Sequence, residues 1–409
     1  MATHQYDVVV LGATGFTGQL VVQYLAETYG VEGALSWAIA GRSRHRLEQV
    51  RGNFLAVPDR DKLPILVVDS GDEDALRELA ESTTVVCTTV GPYAKYGTPL
   101  IAACVEAGTH YCDLTGEVQW MARIIPEYEA AARASGARIV HTCGFDSVPS
   151  DMGVWHLQQV MEENHGTHAT TVKGRVVEMR GGASGGTIAS ILNMMEEAAA
   201  DVGIRAIIAD PYVLYPAGEK AGKDEGDQRG ALYDSDFERW TSPFIMAAIN
   251  TRVVRRSNAL LDFPWGHDFS YSESMLEKSR AAALRRSLAG GAGMATLAIG
   301  PARKIITRFL PQPGDGPSAS QREAGGYELR FLGRSSGDEL AAVRVRGYLD
   351  PGYGSTSRML GEAAVCLALD TSDVAGGFWT PASALGANYL QRLQDNAGLD
   401  FDIIDPDEI

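Results

Sequence analysis

Short apolar stretches alternate with helix-like stretches through the first 145 residues of the chain. The apolar stretches are rich in β-branched residues and nearly continuous, which is typical of parallel strands that are covered on both faces. The stretches between them repeat apolar residues at helical spacing. We therefore predict an α/β, Rossmann-type parallel sheet domain over residues 1–150. Its predicted strands are 6–11, 36–40, 64–69, 83–89, 109–114 and 137–143.

The pattern changes after residue 150, where loops rich in glycine, aspartate and proline separate the apolar stretches. We interpret 151–350 as an inserted α+β domain with a largely antiparallel sheet, which would carry substrate and dimerisation contacts. Residues 351–409 are predicted to be C-terminal helices that pack back on the first domain, with helices at 357–370 and 380–394. Strands of the inserted domain are predicted at 171–182, 250–261 and 269–275, and an antiparallel pair of strands around a turn is predicted within 327–352. Loops are predicted at 205–240 and 311–320.

A glycine-rich segment, VLGATGFTG at 10–18, directly follows the first predicted strand and precedes a helix. In a strand–turn–helix unit, Gly12 would allow the sharp turn, Gly15 the close approach of a pyrophosphate, and Gly18 tight packing of the helix on the sheet. The helix N-terminus would offer free N–H groups to the phosphates. A structural turn without a ligand is the alternative, and the strand–helix units that follow favour a dinucleotide site. The remaining residues of this candidate loop are Thr14, Phe16 and Thr17.

The end of the second predicted strand reads AIAGRSRHR and contains no acidic residue. An NAD site usually carries an acid there for the ribose hydroxyl, whereas Arg42 and Ser43 suit a 2′-phosphate. A solvated basic loop is the alternative, but the acidic composition of the chain favours an anion site. We predict NADPH as the cofactor.

Two further strand ends belong to the predicted cofactor site, because ligands of open α/β sheets bind at the carboxyl ends of the strands. Asp69 and Ser70 end the third strand and would meet the adenine. Residues after the fourth strand would lie along the cofactor towards the nicotinamide; these are Gly91, Pro92 and Tyr93.

The composition indicates which partners and which cellular compartment suit the chain. The 409 residues carry a formal net charge of −16, which disfavours nucleic acid as a partner. The five cysteines form no CxxC pair, which argues against a disulfide framework and against a zinc site. This use of cysteine suits a protein of the reducing cytosol. No histidine motif for a metal is present. We expect a cytoplasmic protein without a metal site, and a homodimer is one arrangement that the sequence leaves open.

Several segments together resemble the saccharopine dehydrogenase-like oxidoreductase family, and most closely its trans-acting enoyl reductase branch, known from mycobacterial lipid synthesis. They are GATGFTG, AGRS, TTVGPYAKYG, YCDLTGE, GFDSVPSD, NTRVVRRSNAL, PQPGDGPS and WTPASALGANYLQRL, which span nearly the whole chain. The resemblance implies a Rossmann domain, an inserted domain with an antiparallel sheet and NADPH-dependent reduction of an enoyl bond. It also implies an acyl thioester or lipid substrate, presented by the carrier domain of a polyketide synthase.

Enoyl reduction needs a hydrogen-bond donor for the thioester oxygen and a proton source for the α-carbon. The catalytic candidates are Tyr93, Ser147 and Asp146, and the sequence does not choose among them. Asp146 could instead cap the helix that follows, and Glu117 is a further acid for which a capping role is equally open.

Two other functions are left open by the sequence. Arg252, Arg255 and Arg256 could bind a small charged substrate in a saccharopine-like imine or amino-acid reductase, or could form surface ion pairs. A non-catalytic NADPH-binding scaffold is the other alternative, motivated by residues 278–308, which contain seven basic and no acidic residues around an apolar centre. That segment could touch the inner face of the plasma membrane, dock an acidic carrier, line an acyl tunnel or form a buried helix.

Overall fold

The predicted parallel sheet is present and contains seven strands. The computed structural model describes residues 4–181, 185–298, 316–370 and 373–409. Six strands come from the N-terminal region, and the seventh, from the C-terminal region, pairs in parallel with the sixth. The sheet order is β13-β6-β5-β4-β1-β2-β3. The strands are β1 Tyr6–Leu11, β2 Trp37–Gly41, β3 Ile65–Val67, β4 Thr83–Thr88, β5 His110–Cys112, β6 Arg138–Val140 and β13 Gly377–Trp379.

The core of this sheet lies on both of its faces, as the continuous apolar strands predict. Val8 and Val10 of β1 belong to one buried cluster, and Val9 and Leu11 belong to the other. The strand order reverses between β1 and β4, which is the position where such sheets form a ligand crevice. The fold therefore places the loops after β1 and β4 beside the candidate cofactor site.

Helices cover the sheet and connect it to the second sheet. Helices α1 to α5 alternate with β1 to β6, and α6 begins the inserted region. The helices are α1 Phe16–Tyr29, α2 Arg44–Gln49, α3 Glu73–Glu81, α4 Tyr93–Ala107, α5 Val118–Ser135, α6 Val148–His165, α7 Gly185–Ala200, α8 Val202–Ala209, α9 Ala247–Leu260, α10 Arg280–Ala298, α11 Ala319–Glu323, α12 Thr356–Leu369 and α13 Pro381–Arg392. Short irregular helical turns are Val50–Phe54, Arg60–Lys62, Pro351–Ser355, Leu393–Ala397 and Pro406–Glu408.

The second sheet also has seven strands, in the order β14-β12-β11-β7-β10-β9-β8. The pair β7–β10 is parallel and the other pairs are antiparallel, so the predicted largely antiparallel sheet is confirmed. The strands are β7 Thr171–Arg180, β8 Leu232–Asp234, β9 Arg239–Pro243, β10 Ser270–Glu277, β11 Gly326–Arg334, β12 Leu340–Gly347 and β14 Leu399–Ile404.

The C-terminal region contributes to both sheets. Helix α12 packs against α1, β1 and β4, and β13 extends the parallel sheet. The last strand, β14, instead pairs with β12 of the second sheet. The prediction for 351–409 contained helices alone, because strands of three to six residues at a sheet edge leave little periodic signal in the sequence.

Two predictions of local structure are wrong. Residues 250–261, predicted as a strand, belong almost entirely to helix α9. The adjacent Val253 and Val254 favoured a strand, but the three arginines at 252, 255 and 256 follow helical spacing and pair with side chains and carbonyl groups around the helix. Helix α8 occupies the start of the predicted loop 205–240. The predicted loop 311–320 and the segment 278–308 lie partly outside the described residues.

Candidate active site

A cavity of about 660 Å³ opens at the carboxyl ends of the parallel strands. Loops after β1 to β6 form one side of the cavity. The opposite side comes from helices α7 and α8 and from the start of α9, and Tyr353 closes one end. The cavity therefore spans the predicted cofactor groove and continues into the inserted region.

The glycine-rich loop forms one wall of this cavity. Gly12 has a φ angle of 90°, and a Cβ atom there would lie 2.7 Å from Thr89 Oγ1. A Cβ atom on Gly18 would lie 2.2 Å from the carbonyl oxygen of Gly12. Because neither position tolerates a side chain, the loop has the tight form that fits a pyrophosphate. The predicted loop residues that line the cavity are Gly12, Thr14, Gly15, Phe16, Thr17 and Gly18.

Residues of the inserted region and of the C-terminal region cover the loop from outside. The Phe16 ring packs edge-on against Tyr353, with ring centres 4.6 Å apart, and the Arg322 guanidinium lies over its other side. A Cβ atom on Gly316 would lie 2.3 Å from the Phe16 ring. These contacts fix Phe16 at the cavity wall.

Two arginines define the end of the cavity near β2. Arg42 and Arg46 both line the cavity with exposed side chains, and neither guanidinium group has a hydrogen-bond partner within the described part of the chain. Both guanidinium groups are therefore available to a phosphate. Ser43 is not among the lining residues, because its hydroxyl accepts a hydrogen bond from the Arg46 backbone N–H at 3.4 Å and caps α2.

Of the two predicted cofactor residues at the end of β3, only one lines the cavity. Ser70 lines the cavity, whereas Asp69 does not. The Asp69 carboxylate accepts a hydrogen bond from the Gly71 N–H at 3.0 Å, so it shapes the turn that presents Ser70.

Glu117 joins three elements at the predicted nicotinamide end. Its carboxylate accepts hydrogen bonds from the backbone N–H groups of Tyr93 at 2.8 Å and Ala94 at 3.0 Å, and so caps α4. The Ser190 hydroxyl of α7 donates to it at 2.8 Å. Burial raises the pKa of Glu117, because desolvation outweighs these three hydrogen bonds. Gly91, Pro92 and Tyr93 all line the cavity here.

Asp113, which the sequence analysis did not single out, holds two neighbouring loops of the site together. It is fully buried and accepts hydrogen bonds from the N–H groups of Thr115 at 3.0 Å and Thr142 at 3.2 Å. Thr142 has a φ angle of 63°, which is rare for a β-branched residue. The strained turn is thereby stabilised next to Asp146. An acid directly after a buried strand was the available signal.

The structure separates the three catalytic candidates. The Tyr93 hydroxyl is buried, donates to the Thr88 carbonyl at 3.2 Å and accepts from the Leu114 N–H at 3.4 Å. Its proton is therefore directed at the backbone rather than at the cavity, although other Tyr93 atoms line it. Ser147 is fully buried, is not a lining residue and donates to Asn250 Oδ1 at 3.2 Å.

Asp146 is the candidate whose side chain meets the cavity without a competing contact. It lines the cavity, is partly exposed, and has no hydrogen-bond partner among the described residues. Desolvation raises the pKa of Asp146 to about 7. A carboxyl group with such a pKa can exchange a proton near neutral pH.

The far side of the cavity is apolar. Residues of α7, α8 and the start of α9 form it, and among the described lining residues the cationic side chains are only those of Arg42 and Arg46. The apolar lining residues of this side are Ala189, Met194, Ile208, Ile245, Met246, Ala248 and Ile249, and Ser190 is its one described polar lining residue.

The arginines of α9 do not reach this cavity. Arg252 forms an ion pair with Asp227, and Arg255 Nε donates to Asp224 Oδ2 at 2.7 Å. Both guanidinium groups are buried, as the low exposure of their side chains shows. They anchor the loop that carries the two aspartates against α9.

Arg256 also serves a structural contact. It donates to the carbonyl oxygens of Leu214 and, at 2.8 Å, Phe378, and so connects the inserted region to β13. Complete burial lowers the pKa of Arg256 to about 10. None of the three arginines is left to bind a charged substrate in this arrangement.

Comparisons with known proteins agree with this geometry. Residues 8–140 match the family model of the saccharopine dehydrogenase NADP-binding domain, which confirms NADP(H) as the cofactor. The chain is 41% identical to a putative trans-acting enoyl reductase of Mycobacterium tuberculosis, with 95% of each chain covered. It is 38% identical to a trans-acting enoyl reductase of Mycobacterium ulcerans, with 96% of each covered. The fold is similar to that of saccharopine dehydrogenase (L-Glu forming) of Saccharomyces cerevisiae, with a TM-score of 0.52, 12% identity, and 98% and 100% of the two chains covered.

Proposed function

The chain belongs to the trans-acting enoyl reductase branch of the saccharopine dehydrogenase-like family, and on this premise we propose that it reduces the C=C bond of an α,β-unsaturated acyl thioester with NADPH. The acyl group would be a polyketide or fatty acyl chain presented on the carrier domain of a polyketide synthase. The names of the mycobacterial relatives support this substrate class.

The continuity of the NADP groove with an apolar wall is the observation that carries the proposal. The cavity begins at the glycine-rich loop and ends among Met194, Ile208 and Met246. An acyl chain would bury its methylene groups against this wall at about 0.8 kcal/mol each. A small amino-acid substrate would instead need cationic groups for its carboxylates.

The chemistry requires a hydride for the β-carbon and a proton for the α-carbon of the thioester. NADPH, when bound, supplies the hydride. Asp146 supplies the proton in this proposal, since its carboxyl lines the cavity and its raised pKa keeps a large protonated fraction near neutral pH. The carboxylate left behind regains its proton from solvent through the open cavity. Tyr93 and Glu117 hold the α4 end of the site in place rather than react.

The sequestered arginines argue against the alternative of a saccharopine-like imine reductase. The buried Arg252 and Arg255 are paired with Asp227 and Asp224, and Arg256 is bound to backbone carbonyl groups. Among the described lining residues, the only cationic side chains left are Arg42 and Arg46, which the proposal assigns to the phosphates of NADPH.

The test is to incubate the purified protein with NADPH and a series of enoyl thioesters of increasing chain length. We expect oxidation of NADPH, a saturated product by mass spectrometry, and deuterium at the β-carbon when the transferred hydrogen of NADPH is deuterated. The Asp146→Asn variant serves as the matched control. Turnover with 2-oxo acids and amino acids but not with enoyl thioesters would contradict the proposal.

A further inference from the structure

Helix α8 is apolar on nearly all sides and yet buries no side chain. Its sequence is VGIRAIIA, and no residue of it is classed as buried. Val202 is 70% exposed, and Ile204, Ile207 and Ile208 are only partly covered. A surface helix normally turns its apolar stripe to the core, so an uncovered apolar helix marks a contact surface.

Helix α10 carries a second exposed apolar pair beside basic side chains. Leu284 and Leu288 lie one helical turn apart and are 44% and 72% exposed. Arg285 and Arg286 lie between them in the sequence and are also exposed. Helix α7 packs against both α8 and α10, so both exposed apolar stretches belong to helices that contact α7.

The sequence segment that contains α10 has a charge opposite to that of the chain as a whole, whereas α8 is flanked by the exposed Asp201 and Asp210. Residues 278–308 contain seven basic and no acidic residues in a chain with a formal net charge of −16. The buried helix that was one sequence interpretation of this segment does not fit the exposed residues of α10. The exposed part of α10 thus combines apolar and cationic side chains.

We propose that α8 and α10 form a docking surface for an anionic lipid membrane. Exposed leucine and isoleucine side chains would enter the interface while Arg285 contacts lipid phosphates; Arg286 is already paired with Glu277. No helix within the described ranges is long and apolar enough to cross a bilayer, so the contact would be interfacial. A second copy of the chain is a poorer occupant, because a twofold contact through α10 would bring Arg285 and Arg286 of both copies together.

The surface continues into the candidate active site. Ile208 of α8 lines the cavity, and Ile245 lines it while being 58% exposed at its mouth. An apolar substrate could therefore pass from the membrane into the cavity without crossing water. This route rests on the proposed function, whereas membrane binding itself does not.

Co-sedimentation with vesicles tests the surface without any measurement of turnover. We expect the protein to bind phosphatidylglycerol–phosphatidylcholine vesicles, to bind phosphatidylcholine vesicles much more weakly, and to be released by salt. Arg285→Glu exchanges a favourable for an unfavourable charge and should weaken binding by about tenfold or more. Leu288→Ser should weaken it by about tenfold through the loss of buried apolar area.

Two control variants match these changes elsewhere on the surface. Arg44→Glu changes an exposed arginine at the start of α2, and Leu369→Ser changes an exposed leucine at the end of α12. Both should sediment like the parent protein, and thermal melting verifies that all four variants fold. The proposal is overturned if anionic vesicles bind no protein, or if Arg285→Glu and Leu288→Ser bind as well as the controls. NADPH binding is measured in parallel, so failure here remains distinct from failure of the reductase.

Discussion

Glu117 Oε1 lies 2.8 Å from the backbone nitrogen of Tyr93, and this contact fixes the start of α4 at the cavity wall. Glu117→Gln keeps the shape but removes the charge and places an amide N–H₂ against a backbone N–H. We expect a loss of about 1–3 kcal/mol in the free energy of unfolding. Urea denaturation measures it, with the exposed Glu78→Gln of α3 as the matched control. Equal stability of the two variants would show that the cap is dispensable.

Arg42 should set the preference for NADPH over NADH. Arg42→Ala removes a charge-assisted hydrogen bond to the 2′-phosphate, so the Kd for NADPH should rise by about 10-fold to 100-fold. The Kd for NADH should change little. Nicotinamide fluorescence titration measures both constants. Arg44→Ala is the control, because Arg44 is exposed in the same loop but does not line the cavity. Equal weakening by both variants would indicate only a general charge effect.

Asp146→Asn should lower kcat for enoyl reduction by about 10²-fold to 10⁴-fold, the usual contribution of a general acid. Asp146 must be protonated at the start of the step, and its pKa is raised to about 7. The rate of the parent protein should therefore be constant below that pH and fall with rising pH above it. The variant should lose this dependence while its Kd for NADPH stays unchanged. A pH profile with the same descending limb in both proteins would assign the proton to another group.

The Arg255–Asp224 pair should contribute to stability rather than to substrate choice. Because the pair is buried, removing either partner leaves the other charge uncompensated, which costs about 3–5 kcal/mol. Arg255→Met and Asp224→Asn should each lower the free energy of unfolding, and the double variant should lose less than the sum. A double-mutant cycle in urea measures this coupling. A change in substrate range with unchanged stability would instead revive the imine reductase alternative.

The sequence predicts those parts of the site that depend on local patterns. The continuous apolar strands specify the parallel sheet, and Gly12, Gly15 and Gly18 specify the loop after its first strand. Each of these patterns lies within a short stretch of the sequence. Contacts between distant segments leave no such pattern. Glu117 caps a helix that begins 24 residues earlier, and nothing in either segment alone indicates that contact.

Tertiary contacts also decide the cases in which local patterns mislead. The valines of α9 favour a strand, yet buried ion pairs to a distant loop hold this segment as a helix. Ser43 and Asp69, by contrast, make local contacts to the N–H groups of Arg46 and Gly71, and their role as cofactor-binding residues stays a prediction. The residue type therefore limits which residues are candidates for the site, and the backbone geometry decides which of their side chains line the cavity.

Asp151 gives a prediction about pH and stability. It is fully buried in α6, where it accepts hydrogen bonds from the Ser257 hydroxyl and, at 2.8 Å, from the Ala382 N–H. Desolvation outweighs these bonds and raises the pKa of Asp151 to about 7, whereas an unfolded aspartate has a pKa of about 3.9. Between these values the folded state binds more protons than the unfolded state, so stability falls as the pH rises through this range and levels off above it.

Asp151→Asn isolates this contribution. An asparagine can accept from the Ala382 N–H with its oxygen and donate to the Ser257 hydroxyl, so it imitates the protonated acid. The free energy of unfolding of the parent should drop relative to the variant by up to about 1.4 kcal/mol per pH unit between pH of about 4 and about 7. Urea denaturation at a series of pH values gives this difference. Asp146 and Glu273, whose pKa values are also raised to about 7, are present in both proteins and cancel in the comparison. Parallel curves would mean that Asp151 is ionised in the folded state throughout this range, stabilised by the bonds from α9 and α13.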